Sequence, residues 1–180
     1  MFVNIDHSKE RMLLQVFAVI LMVSGLGNAH VDPSLNLALQ GRATQSSLDS
    51  YLGNAINAAD GNSNADCNMG SCAITALEQE PWWRVDLLDS YTVATVSITN
   101  RMDGNTANLN GAEIRIGDSL ENNGKSNARC GEVTSIGPGE TQTFACNGML
   151  GRYVTVVIPG RPDSLAIAEV AIYGTDHHHH

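Results

Sequence analysis

The chain reads as an all-β domain, an antiparallel β-sandwich or barrel, on three observations. Apolar and polar residues alternate with period two in several short segments, turn clusters of Gly, Asn and Pro separate those segments, and no stretch after residue 29 sustains a helical period. In PWWRVDL, residues 81–87, Trp82 and Trp83 point to opposite faces of a strand, so one enters the core while the other covers a rim. Arg84 and Asp86 share a face there and are placed to form an ion pair. In TVATVSITN, residues 92–100, Ala94, Val96 and Ile98 fall on one face and Thr95, Ser97 and Thr99 on the other. Ala112, Ile114 and Ile116 alternate with Glu113 and Arg115; Val154, Val156 and Ile158 alternate with Tyr153, Thr155 and Val157. A last strand runs from about Leu165 to Ile172, and MDGNTANLNG, SLENNGKSN and GPGE supply turns.

A length of 180 residues predicts one domain with a processed end. Lys9 and Arg11 precede the apolar run MLLQVFAVILMV, residues 12–23, and small residues follow in SGLGNA. This is the layout of a secretory signal peptide, residues 1–29, cleaved after Ala29. The run is too short to span the roughly 30 Å of membrane hydrocarbon as a helix, so no transmembrane segment is expected and the domain, residues 30–176, is extracellular. His177–His180 form a terminal tract, a purification tag or a native tail. Removing the signal peptide takes Asp6, Glu10, Lys9 and Arg11 with it and leaves the net charge at −9. An acidic domain without a basic run excludes nucleic acid as a partner and disfavours anionic membrane surfaces.

The four cysteines, Cys67, Cys72, Cys130 and Cys146, all follow the signal peptide, and an even number in an oxidising compartment favours disulfides. Of three connectivities, pairing sequence neighbours is the simplest. Zinc is the rival, but no histidine lies near and the spacing is not a paired CxxC. After cleavage the only histidines are His30 and the terminal tract, so the domain holds no Ser-His-Asp or Cys-His arrangement. No carboxylate pair is singled out by spacing either, and no enzyme activity is expected.

Residues 57–72, NAADGNSNADCNMGSC, gather oxygen donors at Asn57, Asp60, Asn62 and Ser71, and Glu169 lies in the last strand. Calcium takes six to eight hard oxygen ligands from such groups, although Asp-Gly and Asn-rich segments are also ordinary turn chemistry. Together with residues 81–103, PWWRVDLLDSYTVATVSITNRMD, and with GAEIRIGD and GRYVTVVIPG, this loop resembles the F-type lectins (fucolectins), a fucose-binding family, from Asn36 to Gly174. The resemblance implies a discoidin-like jelly roll with binding loops at one end. It implies a structural Ca2+ held by backbone oxygens of Asn57, Asn62 and Ala168 and side-chain oxygens of Asp60, Ser71 and Glu169, tying the loop to the last strand. It supports Cys130–Cys146. In the family the cysteine equivalent to Cys72 usually pairs with one at the position of Ala168, so Cys67 is expected as a local replacement.

The family's sugar site combines a histidine, an R-x-D pair and a further basic residue. Here Arg101 and Asp103 keep the R-x-D, Ile74 stands at the histidine position, Asn108 at the second basic position, and Gly104-Asn105 where some members place vicinal cysteines. Hydrogen bonds to a charged group contribute about 1.5–3 kcal/mol each, so the two losses are expected to weaken fucose binding by two or more orders of magnitude. The resulting expectation is a secreted, calcium-stabilised lectin with a weak or shifted fucose specificity. Its glycan partners are read by Arg101, Asp103, Asn108 and Ile74, and innate recognition proceeds through multivalent homo-oligomers. The alternative, from another class, is a non-sugar-binding interaction module that recognises a protein or lipid.

Overall fold

The alternating segments pair into ten antiparallel strands: β1 (Arg42–Gln45), β2 (Ala73–Ile74), β3 (Glu78–Gln79), β4 (Trp82–Thr99), β5 (Glu113–Gly117), β6 (Ala128–Glu132), β7 (Thr141–Val157), β8 (Pro162–Asp163), β9 (Ala166–Ile167) and β10 (Glu169–Asp176). The computed structural model describes residues 32–177, so the expected signal peptide and residues 178–180 of the histidine tract lie outside the described residues. The main sheet runs β1-β4-β7-β5-β6, with β10 also on β4; β2 pairs with β9 and β3 with β8.

The long strands β4 and β7 organise the sandwich because each changes partners along its length. Trp83–Asp86 of β4 pairs with β1, and Tyr91–Thr99 pairs with β10, while β7 runs along the opposite side of both. Between the two halves the register shifts and Leu88 adopts φ 70°, its N–H bonded to Asp86 Oδ1 at 2.8 Å. Strands that bend at such irregularities make the corners of a two-layer sandwich.

The core follows the inward faces: Trp83, Val85, Leu87, Val93, Val96, Ile98, Ile114, Ile116, Val154, Val156, Val170 and Ile172 are all buried. The two tryptophans divide as expected. Trp83 is 1% exposed and its Nε1–H donates to Ala55 O at 2.8 Å, whereas Trp82 lies half-buried under the Arg84 guanidinium, 4.8 Å from the ring centre.

Four details differ from the elements read in the sequence. Ala94 is exposed, because it forms a bulge: Thr95 pairs with Tyr173 and Val93 with Gly174, which leaves Ala94 unmatched and shifts the inward phase to Val93. Tyr153, Thr155 and Val157 do not face solvent but are buried like their neighbours, since the outward face of β7 is covered too, with the Arg84 guanidinium 5.8 Å from the Tyr153 ring centre. The cover over Thr155 is the 121–124 turn, where Asn122, Asn123 and Gly124 are all left-handed; a Cβ on Gly124 would lie 2.8 Å from Thr155 Oγ1. Third, Arg84 does not pair with Asp86. Residues two apart on a strand have Cα atoms about 7 Å apart, and each side chain finds a nearer partner. Asp86 receives Nε and Nη2 of Arg152 at 2.7 and 3.0 Å, which holds its carboxyl below the usual range, and Arg84 Nη1 donates to Asn123 O at 2.8 Å. The last strand is likewise interrupted at Ala168, which separates β9 from β10 and donates its N–H to Thr99 O at 3.0 Å.

Trp83→Ala removes the largest fully buried side chain and an indole hydrogen bond, and it is expected to lower unfolding free energy by about 3–5 kcal/mol. Trp82→Ala should cost less than half as much; urea denaturation giving equal losses would contradict this division of the pair.

Candidate functional site

The loop from Asn57 to Cys72 is shaped by its own side chains. Asp60 Oδ1 accepts the N–H of Asn62 at 2.9 Å, Asn62 Oδ1 that of Asn64 at 3.1 Å, Asn64 Oδ1 that of Asp66 at 3.0 Å, and Asp66 Oδ1 that of Asn68 at 3.1 Å. Each Asx residue bonds the backbone two positions on, so the alternation of Asp and Asn in DGNSNADCN encodes a coil of consecutive Asx turns. Ser71, 3% exposed, closes the coil by donating its hydroxyl to Asn64 O at 2.7 Å and Asp66 O at 3.0 Å. Asn57 fixes the other side through Nδ2, which reaches Leu52 O at 2.7 Å and Cys72 O at 3.0 Å.

Glu169, at the start of β10, is brought against this loop. It is 6% exposed; Oε1 accepts Val170 N–H at 3.3 Å, and Oε2 is buried without a hydrogen-bond partner. Burial, together with the facing carboxylate of Asp60, pushes its carboxyl up to about 8. Among the described residues, no three His, Cys, Asp or Glu side chains converge on one point. A cation here therefore relies on two carboxylates plus carbonyl and hydroxyl oxygens. That donor set suits calcium, and a buried, unpartnered carboxylate oxygen is what a hard cation satisfies. The residues that would hold such an ion are Asp60, Ser71 and Glu169 through their side chains and Asn57, Asn62 and Ala168 through backbone oxygens.

The Arg101–Asp103 pair begins where β4 ends. Arg101 Nη2 donates to Asp103 Oδ2 at 3.0 Å, with both side chains largely covered at 16% and 19% exposure. Arg101 Nε is sealed from solvent and has no protein acceptor. The segment is held by the Asx coil: Met102 N–H donates to Ala65 O at 2.8 Å, and Cys67 N–H to Asp103 Oδ1 at 2.9 Å. Burial raises Asp103, but the Cys67 N–H and the Arg101 guanidinium outweigh it and hold the carboxyl below its usual range. Gly104 (φ 64°) allows the close approach of the guanidinium, since a Cβ there would lie 2.8 Å from Arg101 Nη2.

Ile74 lies half-buried on a small apolar cluster of Ala65, Cys67, Cys72 and Ala168. Cys67–Cys72 and Cys130–Cys146 are both bonded, and Ala168 packs in the same cluster as Cys72. Asn108, in a short 3-10 turn over Thr106–Leu109, donates Nδ2 to Ser164 O at 3.0 Å. Ser164 Oγ in turn donates to Thr75 O at 2.6 Å, beside Ile74. Arg101, Asp103, Ile74 and Asn108 are thus linked through one contiguous set of contacts among the 57–75, 100–111 and 158–168 segments.

Three supporting residues escaped sequence reasoning. Asn100, 1% exposed, donates Nδ2 to Thr106 O at 2.9 Å and Ile136 O at 2.8 Å, anchoring the loop that carries Asn108. Arg161 donates Nη2 to Asn110 O at 2.6 Å and Asn108 O at 3.3 Å, and its Nε pairs with Asp163 at 3.0 Å. Ser164 takes the Asn108 amide. Arg161 and Ser164 act across more than fifty residues of chain, which no local pattern announces.

Comparison with known proteins places this architecture. Residues 57–156 match the family model described as a NedA-like, galactose-binding domain. Fucolectin-4 of Anguilla japonica is 45% identical over 169 residues, covering 89% of this chain and 92% of the eel protein. The crystal structure of an F-lectin (fucolectin) from Morone saxatilis (striped bass) serum matches with a TM-score of 0.77 and 51% identity, covering 79% of this chain; this chain spans 48% of that one. A fucose-binding module of Streptococcus pneumoniae matches with a TM-score of 0.69 and 33% identity, covering 78% of this chain and 95% of the module. With its antiparallel sandwich, its paired Arg101 and Asp103 and these relatives at such coverage, the chain belongs to the F-type lectin (fucolectin) family.

Proposed function

We propose that this protein is a secreted, calcium-stabilised lectin whose glycan site is altered from that of fucose-binding relatives. The family is one of carbohydrate-binding lectin domains and not of enzymes. The observation that carries the reading is the Arg101–Asp103 pair, oriented at 3.0 Å and tied on two consecutive contacts to the Asx coil. A guanidinium held by a carboxylate presents its remaining N–H groups in a fixed fork, suited to adjacent sugar oxygens. Ile74 and the Cys67–Cys72 cluster add an apolar surface in place of a hydrogen-bonding imidazole. Asn108 has spent one amide donor on Ser164 O, so it replaces a second cation only in part. These two positions support weak or shifted fucose specificity; they also support the second reading, an interaction module that recognises a protein or lipid. Secretion is supported by the N-terminal run and by the serum source of the bass relative, and among the described residues no helix is long and apolar enough to cross a membrane. Presentation on a homo-oligomer would multiply weak single sites.

Calcium, when bound, neutralises the Asp60 and Glu169 carboxylates; the chain's own part is to hold those oxygens on two segments otherwise joined by no ion pair among the described residues. In the metal-free protein Glu169 titrates at about 8, above the ordinary 4.5. The folded state therefore binds the extra proton, and this contribution to stability is complete below about pH 4.5 and lost as pH rises through 8. The EDTA-treated protein should lose melting temperature from pH 5 to 8.5, with calcium restoring it most at the alkaline end. A midpoint that ignores EDTA at pH 8 would sink the calcium reading.

On a glycan array, Arg101→Ala should remove the signal of the wild-type protein, whereas silence of the wild type itself favours the interaction module. The double variant Ile74→His, Asn108→Arg should bind fucose one to two orders of magnitude more tightly than wild type. No gain by titration calorimetry would show that these two positions are not what limits the site.

A further inference from the structure

We infer that the Cys67–Cys72 bridge is a positioning element of the glycan site, acting on Arg101 through Asp103; the inference rests on the lectin reading above for its ligand, but not for its geometry. Arg101 lies beyond the end of β4, where its carbonyl accepts the Gly139 N–H at 3.2 Å; that bond fixes its backbone and leaves its guanidinium to be oriented by side-chain contacts. What orients it is a relay: Cys67 N–H to Asp103 Oδ1 at 2.9 Å, then Asp103 Oδ2 to Arg101 Nη2 at 3.0 Å. A backbone N–H can hold a carboxylate in one orientation only if its own peptide plane is fixed.

Three features fix the Cys67 peptide. The 3-10 turn Cys67–Met69 is capped at one end by Asp66, whose side chain accepts from Asn68, and at the other by left-handed Gly70, whose N–H returns to Cys67 O at 3.2 Å. The disulfide then closes the turn covalently over a sequence separation of 5, with Cys67 5% and Cys72 1% exposed. Ile74 packs on the same pair, so the bridge contacts both sides of the site: by hydrogen bond toward Arg101 and by packing under Ile74. The second bridge, Cys130–Cys146, joins β6 to β7 and has no such link. The outer side of the turn is open, with Met69 72% exposed, so its restraint comes from the two caps, the bridge and the small cluster around Cys67 and Cys72.

The test uses the full-length protein in saturating calcium. The Cys67→Ala/Cys72→Ala pair should shift or broaden the Arg101 Nε–H resonance, assigned by its absence in Arg101→Ala, and weaken binding to the strongest wild-type array glycan about tenfold or more. Cys130→Ala/Cys146→Ala should lower melting temperature and leave both readouts in place. Should the alanine pair not fold, wild-type protein is titrated with dithiothreitol, which takes the bridge to two thiols as it cyclises to its own disulfide. Alkylation and mass spectrometry then show which bridge has opened. An Arg101 resonance unmoved when Cys67–Cys72 is open overturns the inference. A wild type that binds no array glycan overturns the lectin reading instead, and the resonance still decides this one.

Discussion

Burying a carboxylate opposite a second carboxylate is the constraint on which this end of the molecule turns. Glu169 is 6% exposed, leaves Oε2 without a partner and faces Asp60. It stands where β10 begins, one residue after Ala168 donates its N–H to the last residue of β4. The Asx coil, the C-terminal strand and the end of the central strand therefore meet at a point whose electrostatics are unfavourable when both carboxylates are charged and bare. A proton on Glu169 relieves that repulsion, as a hard cation would under the calcium proposal.

The same coil is the foundation of the segment that carries Arg101 and Asp103. Ala65 O and Cys67 N–H hold Met102 and Asp103, and Asp103 holds Arg101. The residues proposed to hold calcium and those proposed to meet a glycan are thus not independent of one another. They share a short run of backbone, and whatever stiffens that run stiffens the guanidinium. Position 108 is different in kind: Asn100, Arg161 and Ser164 secure its loop from other segments, so its place is set even though its side chain is uncharged.

Much of this could be read from the residues in order. β5 shows the expected alternation, with Ile114 and Ile116 buried and Glu113 and Arg115 outside them, because it pairs with β7 without a register shift and the irregularity toward β6 falls on Cys130 of the neighbouring strand. Ala94 broke the pattern because a bulge is a property of two strands; the residue that goes unmatched depends on Val93 and Thr95 pairing with Gly174 and Tyr173. Arg84 and Asp86 were misjudged for a related reason, since Arg152 comes from another strand and the carbonyl of Asn123 from a distant turn. In the site, donor types in residues 57–72 were visible as composition, but their bonding to Met102 and Asp103 joins segments more than thirty residues apart. Local chemistry shows in local sequence; register and long-range anchoring do not.

The local disulfide has a mechanical corollary. A bridge closing so short a loop restrains the unfolded chain by about 2 kcal/mol in the chain-entropy view, against about 4.7 for a loop of some hundred residues such as a link from Cys72 to position 168 would close. The C-terminal strand is consequently laid along β4 with no covalent fastening of its own. Tension on the tail would load the ladder one rung at a time, from Asp176 opposite Tyr91 toward Glu169 opposite Thr99, with the Asn36 side chain on Ile172 N–H as an intermediate catch. The zipper ends at the buried carboxylate, so its charge state sets whether the final tooth holds.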